Sequence, residues 1–148
     1  MASRMAPATH RTTLREPTDE DYAKLLRSRD GLRRFLRWSE REAEAAGVTP
    51  AQHQLLLVVR AHGSPPTIGD VAEHLLLRHH SAVELTDRAE AAGLVTRRTD
   101  PKDLRTVRLE LTPLGSRTLS TLSALHLEEL RRLGGHLAKL WEGLEAPS

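Results

Sequence analysis

Apolar residues recur at helical spacing through Tyr22, Leu25, Leu26, Leu32, Phe35 and Leu36, behind a Thr18/Asp21 pair with capping-box spacing. The pattern predicts a first helix ending at Gly47, with Gly31 weakening its middle by up to about 1 kcal/mol relative to Ala and allowing a kink. Thr49-Pro50 opens a second helix in cap-then-proline order. Its run Leu55-Leu56-Leu57-Val58-Val59 is apolar on every side and predicts a helix buried centrally among others. His62-Gly63-Ser64-Pro65-Pro66 ends it. Thr67, with Asp70 three residues on, caps a short third helix whose apolar face is Ile68, Val71, Ala72, Leu75 and Leu76. After Arg78-His79-His80, Ser81 and Glu84 again have capping-box spacing. Ala82, Leu85, Ala89 and Ala92 line the inner face of a fourth helix, and Gly93 stops it. Its outer face carries Ser81, Val83, Glu84, Asp87 and Arg88.

The period then changes from helical to two. Leu94-Val95-Thr96-Arg97-Arg98 and Thr106-Val107-Arg108-Leu109-Glu110-Leu111 alternate apolar and polar residues, as half-buried strands do. Asp100-Pro101-Lys102-Asp103 between them is turn chemistry, so the two form a hairpin. Thr112-Pro113 opens a last helical region. There Leu130, Leu133, Leu137, Leu140 and Leu144 alternate at spacings of three and four, a coiled-coil-like seam interrupted by Gly134-Gly135.

Two short helices, a glycine stop and a hairpin with a charged tip, in that order from Ile68 to Thr112, make a winged helix-turn-helix. This device lays one helix in the major groove of duplex DNA with the hairpin beside it. The expected fold class is mainly α with a small β-hairpin wing, dimerised through its N- and C-terminal helices. Residues 1–17 carry Arg4, Arg11 and Arg15 without periodicity and read as a flexible basic tail, either without a role or as a DNA-contacting arm. Residues 18–148 form one domain, with dimerisation helices over 18–47 and 113–145 and the reader over 49–112. The apolar stripes of the flanking helices would stay exposed on a monomer, and pairing two chains buries them. A homodimer with two readers implies a pseudo-palindromic DNA site.

Composition narrows the chemistry. The 148 residues suit one domain with a core of its own. A net charge of +2 excludes a general nucleic-acid coat, so any DNA-binding charge must be localised. There is no cysteine, which removes disulfides, thiol sensing, cysteine zinc sites and cysteine nucleophiles. The aromatics are Tyr22, Phe35, Trp38 and Trp141, too few for base-stacking on single strands. No apolar run approaches a membrane span and no secretory signal pattern opens the chain, so the expected compartment is the cytoplasm, with no membrane partner. No nucleophile–base pair, phosphate loop or metal motif is present; neither an enzyme nor a cofactor is expected.

Leu85-Thr86-Asp87-Arg88-Ala89-Glu90-Ala91-Ala92-Gly93-Leu94-Val95, the wing Asp103-Leu104-Arg105 and Leu111-Thr112-Pro113-Leu114-Gly115 together resemble MarR-type transcriptional regulators. The order and length of the elements from about Thr18 to Leu144 agree. The resemblance implies a triangular helical dimer that binds duplex DNA, usually as a repressor. It also implies a ligand cleft between dimerisation helices and reader, often taken by small phenolic or other aromatic compounds. The chain departs from the usual pattern at Glu84, where many relatives carry a basic or neutral residue. Glu84 either accepts a hydrogen bond from a cytosine amino group or caps the helix and orients a basic neighbour.

Candidate DNA contacts follow. Arg105 at the wing tip can enter a narrowed minor groove, unless Asp103 holds it as a solvated pair. Lys102, Arg97, Arg98 and Arg108 are candidate phosphate contacts, of which about half are expected to touch DNA. His79 and His80 start the presumed recognition helix and read as DNA contacts or plain surface, with a metal site the weakest reading. Ser81 and Val83 can reach bases, Val83 through a thymine methyl, and Arg88 is a backbone or intraprotein partner. Phe35, Trp38, His53 and Leu57 are candidates for the ligand cleft, against ordinary core or dimer packing. The competing reading is a winged-helix dimer that serves as a protein-interaction module without DNA.

Overall fold

The structure, a computed structural model, describes residues 14–141. Residues 1–13, with Arg4 and Arg11, and residues 142–148, with Leu144, lie outside the described residues, as do the side chains of Leu137, Leu140 and Trp141. The elements are α1 (Asp19–Ala45), α2 (Pro50–Ala61), α3 (Ile68–Leu75), α4 (His79–Ala91), β1 (Val95–Thr99), β2 (Val107–Leu111) and α5 (Pro113–Trp141).

Local chemistry sets most of the boundaries. Reciprocal capping boxes open α1 (Thr18/Asp21), α2 (Thr49/Gln52) and α3 (Thr67/Asp70). Arg15 pairs with Asp21 at 2.7 Å, tying the chain entry to the first cap. Gly93 takes φ +72°, which lets the chain leave α4 and turn directly into β1. The Thr112 hydroxyl accepts from the Gly115 amide at 3.0 Å and opens α5. Neither Gly31 nor the Gly134-Gly135 pair interrupts its helix.

Some expectations need correction, among them Leu76, which is the left-handed C-cap of α3 and 92% exposed rather than part of its apolar face. The fourth helix starts at His79, with Arg78 as its N-cap and no side-chain cap bond, so the Ser81/Glu84 capping box is not formed. By Ser81 the backbone is already helical, and a serine there has no free first-turn position to cap. The second helix is not buried all round: Leu55, Leu56 and Val59 are buried, while Leu57 is half exposed. Helices α1, α3, α4 and α5 and strand β2 all pack against α2, yet none of them covers position 57.

The core lies between α2, α3, α4 and the hairpin. Leu55, Leu56, Val71, Ala82, Leu85, Ala89, Val95 and Leu109 form it, joined by Leu119 and Leu122 from the first half of α5. Thr86 is wholly buried and satisfies its hydroxyl on the Ala82 carbonyl at 2.8 Å. Strands β1 and β2 pair antiparallel with Arg97 opposite Leu109 and Arg98 opposite Arg108. A bridge from Thr67 to Arg108, and the Leu109 amide donating to the Pro66 carbonyl at 2.8 Å, fasten the hairpin to the entry of α3. Gly115 lies so close to β1 that an added methyl would sit 2.0 Å from the Leu94 carbonyl oxygen.

Helix α1 is different. Among its described residues only Ala43 is buried. Tyr22, Leu25, Leu26, Leu32 and Leu36 are each more than half exposed, as is Leu127 of α5, and Leu130 is exposed to a lesser degree. No described helix is long and apolar enough to cross a membrane.

Candidate nucleic-acid interface

The outer face of α4 and the hairpin tip carry most of the side chains expected at DNA. On α4, His79, His80, Glu84, Asp87 and Arg88 are exposed, and Ser81 and Val83 are half buried. Arg78, immediately before the helix, is also exposed, a cation that sequence reasoning assigned no role.

The hairpin divides its cations into two sets. Arg97 reaches back to α4 and pairs with Asp87 and Glu90 at 2.6 Å each. The hydrogen bond to Asp87, ahead of that to Glu90, raises the guanidinium pKa above its ordinary value. Arg98 and Arg108 stand opposite each other, a like-charge juxtaposition that is unfavourable unless each is neutralised. Arg98 pairs with Glu110. Arg108 pairs with Asp100 at 2.7 Å and donates to the Pro65 carbonyl at 2.8 Å. The Arg108 hydrogen bond is the leading reason why the Asp100 carboxyl lies below its usual pKa. These three arginines are engaged within the fold.

Lys102 and Arg105 are the other set. Both are exposed at the tip, and no ion pair engages either among the described residues. The tip itself is shaped by carboxylates acting on the backbone. Asp100 accepts from the Lys102 amide at 2.8 Å; Asp103 accepts from the Arg105 amide at 3.1 Å and the Thr106 hydroxyl at 3.1 Å. Asp103 therefore holds the turn and leaves the Arg105 guanidinium free.

The four cleft candidates separate. Phe35 and Trp38 line a cavity of about 1030 Å³ between α1 and α5, with Leu32, Leu130, Arg34 and Arg132 among its walls. His53 lies beneath, buried against His126 of α5 with ring centroids 4.8 Å apart; His126 also meets Trp38 at 4.8 Å. The His126 Nδ1 faces the Leu122 carbonyl at 2.7 Å and its Nε2 the Ser39 hydroxyl at 2.6 Å. With neutral His126, Nδ1–H donates and Nε2 accepts from Ser39. Burial first, and the neighbouring His126 second, lowers the His53 pKa. Leu57 lines neither this cavity nor the shallower one beside β2. No local spacing brings His126 to Ser39 and His53, which lie far from it along the chain. Among the described residues no group of three or more His, Asp or Glu side chains is placed to hold a metal.

Helix–turn–helix, hairpin and strand register together define a winged helix-turn-helix protein. Residues 46–106, from the end of α1 to the wing, match the MarR family model. Over that region the chain resembles the MarR family, and its fold is that of solved MarR-family winged-helix structures. It is similar to the HTH-type transcriptional repressor MdtR of Bacillus subtilis (strain 168), 35% identical over 72 residues, 49% of this chain and 46% of that protein. It is also similar to YkoM of the same organism, an uncharacterized HTH-type transcriptional regulator, 28% identical over 94 residues, 64% of this chain and 60% of that one. The chain thus spans about half the length of these curated relatives. Among solved structures, AbsC of Streptomyces coelicolor, a MarR family transcriptional regulator, superposes with a TM-score of 0.70 at 21% identity, over 89% of this chain and 94% of that one. A MepR mutant of Staphylococcus aureus bound to an oligodeoxyribonucleotide gives 0.65 at 21% identity, over 88% and 100%. At these identities the likeness is one of fold.

Proposed function

We propose that this protein is a sequence-specific duplex-DNA-binding transcriptional regulator, a cytoplasmic homodimer that represses transcription and is released by a small ligand. The observation that carries the reading is the division of the hairpin cations. Arg97, Arg98 and Arg108 brace the wing, whereas Lys102 and Arg105 project from its tip with no ion pair among the described residues. A rigid wing with a free arginine at its end suits insertion into a narrow minor groove while α4 occupies the major groove. His79, His80, Ser81, Val83 and Arg88 are the contacts proposed for α4, together with Arg78. MdtR is named a repressor, and the MepR mutant was captured on DNA.

The open apolar stripe on α1 and α5 supports pairing of two chains, because leaving Tyr22, Leu25, Leu26, Leu32 and Leu36 in water forfeits their hydrophobic contribution. The aromatic-walled cavity between those helices supports an aromatic ligand. A ligand favouring a different reader spacing shifts the population away from the DNA-competent dimer, and about 1.4 kcal/mol of differential binding weakens it tenfold.

Selection from a random duplex pool at near-physiological salt tests the reading. The expected result is an inverted repeat with half-site centres about one helical turn apart. Binding that fades with salt and enriches no sequence would refute sequence-specific regulation. No binding at all would favour the protein-interaction reading, which the internal neutralisation of three wing arginines keeps in play.

A further inference from the structure

The recognition helix α4 carries three carboxylates, and the fold disposes of them unequally. Asp87 and Glu90 are both taken by Arg97 from the wing. Glu84 is exposed, forms no capping box because the helix starts at His79, and enters no hydrogen bond or ion pair among the described residues. It shares a strip of α4 with His80, Ser81 and Arg88, at spacings of three and four residues. Arg88 lies four residues on, in the favourable orientation for an intrahelical pair, yet the two are not joined.

We propose that Glu84 is a specificity-determining residue that accepts a hydrogen bond from the exocyclic amino group of a cytosine in each half-site. The proposal rests on the DNA-binding reading above. A bare carboxylate on a helix lying between phosphate backbones is repelled at every sequence unless a donor meets it. In the major groove, guanine and thymine present acceptors at the positions a carboxylate would approach. Adenine presents its amino donor beside the N7 acceptor, which suits a carboxamide better than a carboxylate. Cytosine presents the amino donor alone. Glu84 therefore selects C·G by attraction to one base and by repulsion from the others, the two-sided arrangement from which specificity comes.

The test is selection from a random duplex pool with the full chain, comparing wild type, Glu84→Ala, Glu84→Gln and Arg88→Ala. In wild type one position of each half-site is fixed as C. In Glu84→Ala that column flattens, losing about tenfold of discrimination, while the other columns and the half-site spacing persist. In Glu84→Gln, with the same shape and no charge, the column moves towards A. An unchanged Glu84→Ala profile overturns the proposal. So does an Arg88→Ala profile identical to that of Glu84→Ala, since Glu84 would then act only by positioning Arg88. A wild-type protein that enriches no sequence fails the regulator reading itself, a result distinct from either of these. Glu84→Gln also controls for folding: if the alanine variant melts early, the glutamine profile decides.

Discussion

The two sets of hairpin cations make opposite predictions for stability and for salt dependence. Arg97 is 28% exposed and bridges Asp87 and Glu90, which are 59% and 41% exposed. Partly exposed pairs contribute about 0.2–1 kcal/mol each, so Arg97→Ala is expected to remove about 1 kcal/mol in total. For a chain of this size that lowers the melting midpoint by about 3 °C. It should leave the dependence of DNA affinity on salt unchanged, because no phosphate contact is lost. Lys102→Ala should behave in the reverse way. It leaves the midpoint within about 0.5 kcal/mol of wild type. It reduces the slope of log affinity against log salt by about 0.9 per protomer and hence about 1.8 per dimer. Between 50 and 200 mM salt, a fourfold change, wild type should accordingly lose about 12-fold more affinity than Lys102→Ala. Differential scanning fluorimetry and fluorescence-anisotropy titrations at four salt concentrations measure both quantities. A flattened salt slope in Arg97→Ala, with an unchanged midpoint, would refute the division of roles.

Gly115→Ala should cost about 2–3 kcal/mol by overpacking, because its methyl would meet the Leu94 backbone and force α5 away from β1; a denaturation midpoint equal to wild type would show that α5 is free to move. Leu76 holds φ 54° while 92% exposed, so Leu76→Gly should relieve strain without losing packing and raise stability by about 0.5–1 kcal/mol in chemical denaturation. A loss of stability would mean that Leu76 is covered in the assembled protein. For His53 the folded-state pKa lies below the ordinary 6.5. The unfolded chain therefore binds the proton more readily, and stability present above pH 6.5 is lost as pH falls through that value toward the folded pKa. Thermal midpoints of wild type should drop from pH 7.5 to 5.5, and His53→Gln should lessen that drop. An equal drop in both would assign the acid sensitivity elsewhere.

What the sequence alone determines here is local. The Thr18, Thr49 and Thr67 caps act over three residues, and Gly93 acts through its own φ, so the helix starts and stops they set are legible in order. The switch from helical to period-two spacing at Leu94 marks the hairpin for the same reason. The Ser81/Glu84 pair shows the limit of local spacing: the spacing is right, but the helix starts two residues earlier, at His79, and among the described residues nothing engages the Glu84 side chain. Which cations of the wing are free is likewise undecided by alternation. Arg97 finds its partners 7 and 10 residues away on α4, and Arg108 finds a carbonyl 43 residues away. Ser39 and His126 meet across 87 residues, which is why His126 had no partner in the sequence. The even apolar run of α2 gave no sign that Leu57 alone would stay half exposed. Periodicity states which faces are apolar; only the packed elements decide which faces are covered, and which charges are left to meet a partner.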